Sequence, residues 1–106
     1  MKKILEFIDL ESGRLRKTHD NYPDEEKRAL ARMVKLSEEV GELADEVLSF
    51  NSMQRDEKQA NHNSDSLSEE VADVLIVTLL LAKTLGVDVE KALEKKIEKI
   101  NKRYEK

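Results

Sequence analysis

The chain has 106 residues, of which 40% are charged and 39% hydrophobic, with 3 Gly, 1 Pro, no Trp, no Cys and a formal net charge of −4. That balance suits long helices joined by few turns and not sandwiches or barrels, so the expected class is all-α, in one domain over residues 1–106. The negative charge gives no general reason to bind a nucleic-acid polymer or an anionic membrane, and a chain without cysteine has neither disulfides nor thiolate metal sites.

The N-terminal run MKKILEFIDLE breaks its apolar stretch with Glu6 and Asp9, unlike a secretory signal. Ile4, Leu5, Ile8, Leu10 and Leu15 recur at mostly helical spacing and predict a first helix over residues 2 to 18, its continuity questioned by Gly13. The segment from His19 to Asp24 supplies a turn, and Pro23 followed by acids starts a second helix that runs to about Phe50. In it Met33, Leu36, Val40, Leu43, Val47 and Phe50 alternate three and four apart, the spacing of a helical seam. Ser37, Gly41 and Ala44 form a strip of small side chains beside that seam, which predicts close helix approach.

Residues 51 to 66 are polar and read as a surface loop. Ser66 or Ser68 then caps a third helix ending near Gly86, apolar nearly all round from Val71 to Leu85, as for a helix covered on several sides. Even its most apolar part, Val71 to Ala82, contains Asp73 and falls short of the roughly 20 residues that span a bilayer, so a soluble, cytoplasmic protein is expected. Asp88 caps a fourth helix whose Val89, Leu93, Ile97, Ile100 and Tyr104 share one face. One chain of four such helices scarcely covers the third, so a homo-oligomer is expected to complete the bundle.

Two helices carry closely spaced acids. Glu39 and Glu42 adjoin on the second, with Glu38 farther round and Glu46 one turn beyond, while Glu70 and Asp73 are neighbours on the third. Asp73 stands among Val71, Ala72, Val74, Leu75 and Ile76, where an unpaired carboxylate costs several kcal/mol, so it calls for a cation or a charged partner on the fourth helix. Hard oxygen donors suit Mg²⁺ or Mn²⁺. A di-iron bundle needs a Glu-x-x-His motif from each of two helices, and His19 and His62 fit no such spacing.

The segments EEVGELADE and EEVADVLIVTLLLAKTLGVD resemble the MazG-like all-α nucleotide pyrophosphohydrolases, whose pattern Glu-Glu-x-x-Glu then Glu-x-x-Asp falls here on Glu38, Glu39 and Glu42, then Glu70 and Asp73. The resemblance spans about residues 27 to 104. It implies a dimer or tetramer of helical bundles that binds Mg²⁺ through these acids and hydrolyses a nucleoside triphosphate between the α and β phosphates, in some relatives as housecleaning of noncanonical nucleotides. The implied metal ligands are Glu39, Glu42, Glu70 and Asp73, with Glu38 or Glu39 as the base. Lys96 and Arg103, seven apart at the edge of the fourth helix's apolar face, are candidates for the phosphates, with Lys99 close by. The ending KINKRY resembles the family's terminal motif, with Asn101 out of the commonest register. Some relatives stack the base on tryptophan, which this chain lacks; Phe50, Tyr22 and Tyr104 are the aromatic residues that remain for that role, each better placed as core or rim. The competing reading is a noncatalytic helical oligomerisation or regulatory module whose acids and lysines only exchange salt bridges.

Overall fold

The computed structural model describes residues 1–18, 24–51 and 64–105. They form four α-helices and no strand: α1 (Lys2–Thr18), α2 (Glu25–Phe50), α3 (Ser64–Thr84) and α4 (Val89–Lys102). Local chemistry sets the helix ends. The Asp24 carboxylate accepts from the Lys27 N–H at 2.8 Å, and Glu25 and Glu26 follow it at the positive end of the α2 dipole. Asp88 accepts from the Lys91 N–H at 3.2 Å and caps α4 as expected. Beyond α3, Gly86 adopts a φ of 72°, which a residue with a Cβ rarely takes. The Gly86 and Val87 N–H groups fold back onto the Lys83 and Ala82 carbonyls at 3.1 and 2.9 Å, closing the helix in a Schellman arrangement.

Two features differ from expectation. α1 runs through Gly13 without a break, the cost of about 1 kcal/mol for one glycine in a helix being too small to end it. α3 begins at Ser64, upstream of both proposed caps, so the predicted loop yields its last residues to the helix, and residues 52–63 lie outside the described ones. Ser66 is already helical, and its hydroxyl donates to Glu46 Oε2 at 2.9 Å, tying the start of α3 to the end of α2.

α2 and α3 pack along each other and α1 lies on α3, while α4 makes no comparable contact with any described helix. The radius of gyration is accordingly 17.0 Å, against about 13 Å for a compact domain of 100 residues. The expected four-helix bundle is therefore not closed within one chain. Ile8 and Leu80 are the buried hydrophobic residues among those described, and the other buried positions are polar: Ser12, Arg32, Glu39, Ser49 and Glu70.

The seam of α2 is also turned differently from the reading of its sequence. Leu36 and Leu43 are half-buried, but Met33, Val40, Val47 and Phe50 are exposed, because α2 directs a charged stripe containing Arg32 and Glu39 toward its neighbours. Gly41 gives no close approach within the chain, for a Cβ placed there meets nothing within 4 Å. Nor is α3 covered all round: Val71 and Leu75 are exposed on one side of it and Asp73 on another. No described helix is long and apolar enough to cross a membrane.

Candidate functional site

Helical periodicity stacks Arg32, Lys35 and Glu39 along the inner side of α2, and α3 answers with Glu70 and Asp73 at a three-residue spacing. Glu39, Glu70 and Asp73 each bring a carboxylate oxygen within 4.8 Å of the others. Glu39 and Glu70 are 6% and 8% exposed, and an oxygen of each, Oε2, is sealed from solvent without a hydrogen-bond partner among the described residues. Such an oxygen costs on the order of 1–3 kcal/mol, more when charged, unless something outside the chain engages it.

The electrostatics follow from this crowding. Burial, with the neighbouring acids Glu39 and Glu42, pushes Glu70 up to about 8. Glu39 is held below the ordinary carboxylate value, first by the adjacent Glu70 carboxyl and then by Lys35. At neutral pH Glu70 thus keeps its proton beside a charged Glu39. Lys35 Nζ lies 3.2 Å from Glu39 Oε1, and this contact raises the lysine above its usual value. A site that retains a proton and recruits an ammonium is one whose negative charge exceeds what the fold alone neutralises. Three hard oxygen donors in that state fit a divalent cation.

The predicted site residues are not all brought together. Asp73 joins the two glutamates but is exposed at the rim, so the expectation of a carboxylate enclosed by apolar side chains is corrected. No lysine or arginine among the described residues pairs with it, because α4 does not come alongside α3. Glu42 is exposed yet close enough to perturb Glu70, and it shares a shallow groove with Glu38, Gly41 and Leu48. Glu38 is exposed, 4.0 Å from Lys35, and is not gathered with the three converging acids. Glu46 is engaged by Ser66 at the helix junction. Lys96 is exposed on α4 and Arg103 at its C-terminal cap, Phe50 and Tyr104 are 57% and 83% exposed, and Tyr22, His19 and His62 lie outside the described residues.

The geometry adds a cleft that the motifs do not reveal. Its volume is about 490 Å³, and it lies between Glu11 and Leu15 of α1, Arg32, Lys35 and Glu39 of α2, and Asp73, Ile76 and Leu80 of α3. Lys35 had a visible signal, since it stands four residues before Glu39. Glu11 had none, because only the crossing of α1 over α3 brings it here.

Over residues 27–106 the chain matches the model of the MazG nucleotide pyrophosphohydrolase domain. The chain belongs to the MazG family. The uncharacterized protein YpjD of Bacillus subtilis (strain 168) is similar to it, 39% identical over 74 residues that span 70% of this chain and 65% of that protein. No solved structure matches the chain. The MazG match contains all five motif acids together with Arg32 and Lys35, whereas α1, which supplies one wall of the cleft, lies outside it.

Proposed function

We propose that this MazG domain hydrolyses a nucleoside triphosphate between the α and β phosphates, giving a nucleoside monophosphate and pyrophosphate, with Mg²⁺ or in its place Mn²⁺ held by Glu39, Glu42, Glu70 and Asp73. The observation that carries this reading is the pair of sealed, unpartnered oxygens on Glu39 and Glu70 beside Asp73. When bound, Mg²⁺ supplies charge neutralisation at the polyphosphate oxygens and a more acidic water.

The protein's part is positioning and proton transfer. One water adds across the bridging P–O bond, and Glu39 or Glu38 accepts its proton while the bridging oxygen leaves with pyrophosphate. Lys35, at the cleft wall, offsets charge on the phosphates. Leu15, Ile76 and Leu80 give the same cleft an apolar side for the nucleoside, which suits a chain with no tryptophan to stack on the base.

Lys96 and Arg103 stand apart from the acids within one chain, so their role as phosphate ligands requires a second copy to deliver them. The exposed Leu93, Ile97 and Ile100 support such a copy, as do Val40 and Val47 on α2 and Val71 and Leu75 on α3, since apolar surfaces of this extent mark association sites. The proposed assembly is a cytoplasmic homodimer or homotetramer, and the proposed substrates include noncanonical nucleotides.

A panel of natural, deoxy and damaged nucleoside triphosphates with Mg²⁺, scored for pyrophosphate and monophosphate against orthophosphate, tests the reaction. Pyrophosphate from at least one substrate is expected, with turnover lost in Asp73→Asn and Glu42→Gln. Full turnover in both variants would remove the site assignment. The exposed apolar faces are also what a noncatalytic oligomerisation module would present. That reading gains if millimolar Mg²⁺, with or without nucleotide, leaves the melting temperature unmoved, since a ligand of the native state must raise it.

A further inference from the structure

A second pocket, of about 210 Å³, lies where the later part of α1, the first turns of α2 and the end of α3 meet. Among the described residues that line it, the charged ones are Arg16, Arg28, Arg32 and Lys83 with one carboxylate, that of Glu25, in a chain whose overall charge is −4. Ser12 and Thr84 complete the lining. Arg32 is 92% buried, its relative exposure being 8%, and its Nε donates to Thr84 Oγ1 at 2.9 Å while that hydroxyl donates to the Leu80 carbonyl at 3.1 Å. The guanidinium is thereby held in one orientation. The pocket is small beside the roughly 300–1,000 Å³ of typical organic-ligand sites.

The strongest pointer to an occupant is Glu25. One of its oxygens, Oε1, accepts from the guanidinium of Arg16 and also from Arg28 Nη2 at 2.8 Å, so two arginines of different helices already converge on an oxyanion. Glu25 is more than half exposed, and so can swing aside. A phosphate-type dianion offers more charge and more acceptor oxygens than one carboxylate, and guanidinium forks match it bidentately. Lys83 adds a fourth cation, held at the rim by Asp9 at 2.8 Å. Arg32 lines both this pocket and the acidic cleft, which makes them neighbours.

We infer that the pocket formed by Arg16, Arg28, Arg32 and Lys83 is an oxyanion site for a phosphate-type ligand, separate from the acidic cluster, with Glu25 as the side chain that occupies it in the ligand's absence. Ser12, Arg16 and Glu25 precede the residues matched by the MazG model, whereas Arg28, Arg32, Lys83 and Thr84 lie within them, so the pocket joins the matched domain to the chain's N-terminal helix. The ligand is either free phosphate or pyrophosphate, or the terminal phosphate of a nucleotide lying in the neighbouring cleft; the second source rests on the proposed hydrolysis, the first does not.

The test is calorimetric titration of the metal-free full chain with inorganic phosphate and pyrophosphate at matched ionic strength. Saturable binding is expected, weakened at least tenfold in the doubly substituted Arg16→Gln/Lys83→Gln chain, whose two changes lie at exposed positions. In Glu25→Gln, which removes the competing carboxylate, binding is expected to tighten severalfold; this variant keeps the proposal testable even if the double variant does not fold. A second arm saturates the protein with Mg²⁺ and a nucleoside triphosphate carrying a non-hydrolysable α–β bridge before adding phosphate. Loss of the phosphate signal assigns the pocket to the nucleotide's own terminal phosphate, and its persistence assigns it to the free anion. Wild-type protein that takes up neither anion at millimolar concentration, or binds both no better than the double variant, overturns the proposal, and the cations then serve only the negative ends of α1 and α3.

Discussion

Helices α2 and α3 draw charged side chains inward, with Arg32, Glu39 and Glu70 more than nine-tenths buried, whereas α4 has no buried residue and leaves Leu93, Ile97 and Ile100 in solvent. The two regions are incomplete in opposite senses. Carboxylates leave water at a cost that only a proton, a cation or hydrogen-bond donors offset, and at Glu39 and Glu70 the chain supplies one proton, on Glu70, and one lysine. Apolar side chains left in water forfeit about 25 cal/mol for each Å² that a partner would cover. The difference teaches that one region of this chain is shaped for a cation and the other for protein surface.

The largest expected effect lies in the first region. Glu70→Gln and Asp73→Asn should each lower turnover at least about 100-fold, since metal-borne charge stabilisation is worth several kcal/mol. Helical circular dichroism should be unchanged. Lys91→Gln, on the exposed surface of α4, is the control and should leave turnover alone. Steady-state assays on the three proteins check this, and equal losses in all three would erase the contrast between the regions.

A charge on the face of α4 probes the second region. Ile97→Asp should reduce the mass seen by analytical ultracentrifugation to that of a smaller species, and activity should fall in parallel if Lys96 and Arg103 act on a neighbouring copy. Unchanged mass with unchanged activity would show that α4 is not where copies meet.

The next effect is a pH dependence specific to the acidic region. The folded-state pKa of Glu70 is raised from the ordinary 4.5 to about 8, so its contribution to stability is fully present below 4.5 and is lost as pH rises through 8. The lowered value of Glu39 acts in the opposite direction, in a window below the ordinary carboxylate value. Metal-free protein should therefore lose melting temperature, by roughly 5 °C, between pH 5 and pH 8. Mg²⁺ should restore it at the upper end by replacing the proton, and Glu70→Gln should flatten the slope. A metal-free melting temperature that climbs over this range would contradict the retained proton on Glu70.

How much was legible in the sequence differs between the regions too. The four helices, the Asp88 cap and the stop at Gly86 were visible because caps and glycine act within a few residues. The meeting of Glu39 with Glu70 and Asp73 was expected from spacing on two helices together with the family motif. What sequence reading missed was orientation. The apolar spacing of Met33, Val40 and Val47 indicates that a face will be covered but not whether the same chain covers it, and here the inner side of α2 is the charged one. For the same reason Asp73 was placed among apolar neighbours when it stands at an open rim. The place of Glu11 depends on where α1 crosses α3, and that of Arg32 on its bond to Thr84 across the α2–α3 contact, neither of which a local pattern encodes.

The smallest expected effects separate the regions by cooperativity. Asp24 and Asp88 cap α2 and α4 through the same kind of bond, and replacing either by alanine removes about 1 kcal/mol of local helix stability. α2 is packed against α3, so Asp24→Ala should lower the melting temperature of the whole chain by about 4–8 °C. α4 has no comparable packing, so at concentrations low enough to leave single chains Asp88→Ala should fray α4 alone. That fraying would appear as a small loss of helical ellipticity and faster amide exchange over residues 89–102, with the main transition unmoved. At concentrations that favour assembly, the same substitution should begin to lower the melting temperature, because α4 is then held by a neighbour. Equal losses from the two caps at every concentration would mean that α4 melts together with α2 and α3, and that the separation between the regions does not exist in solution.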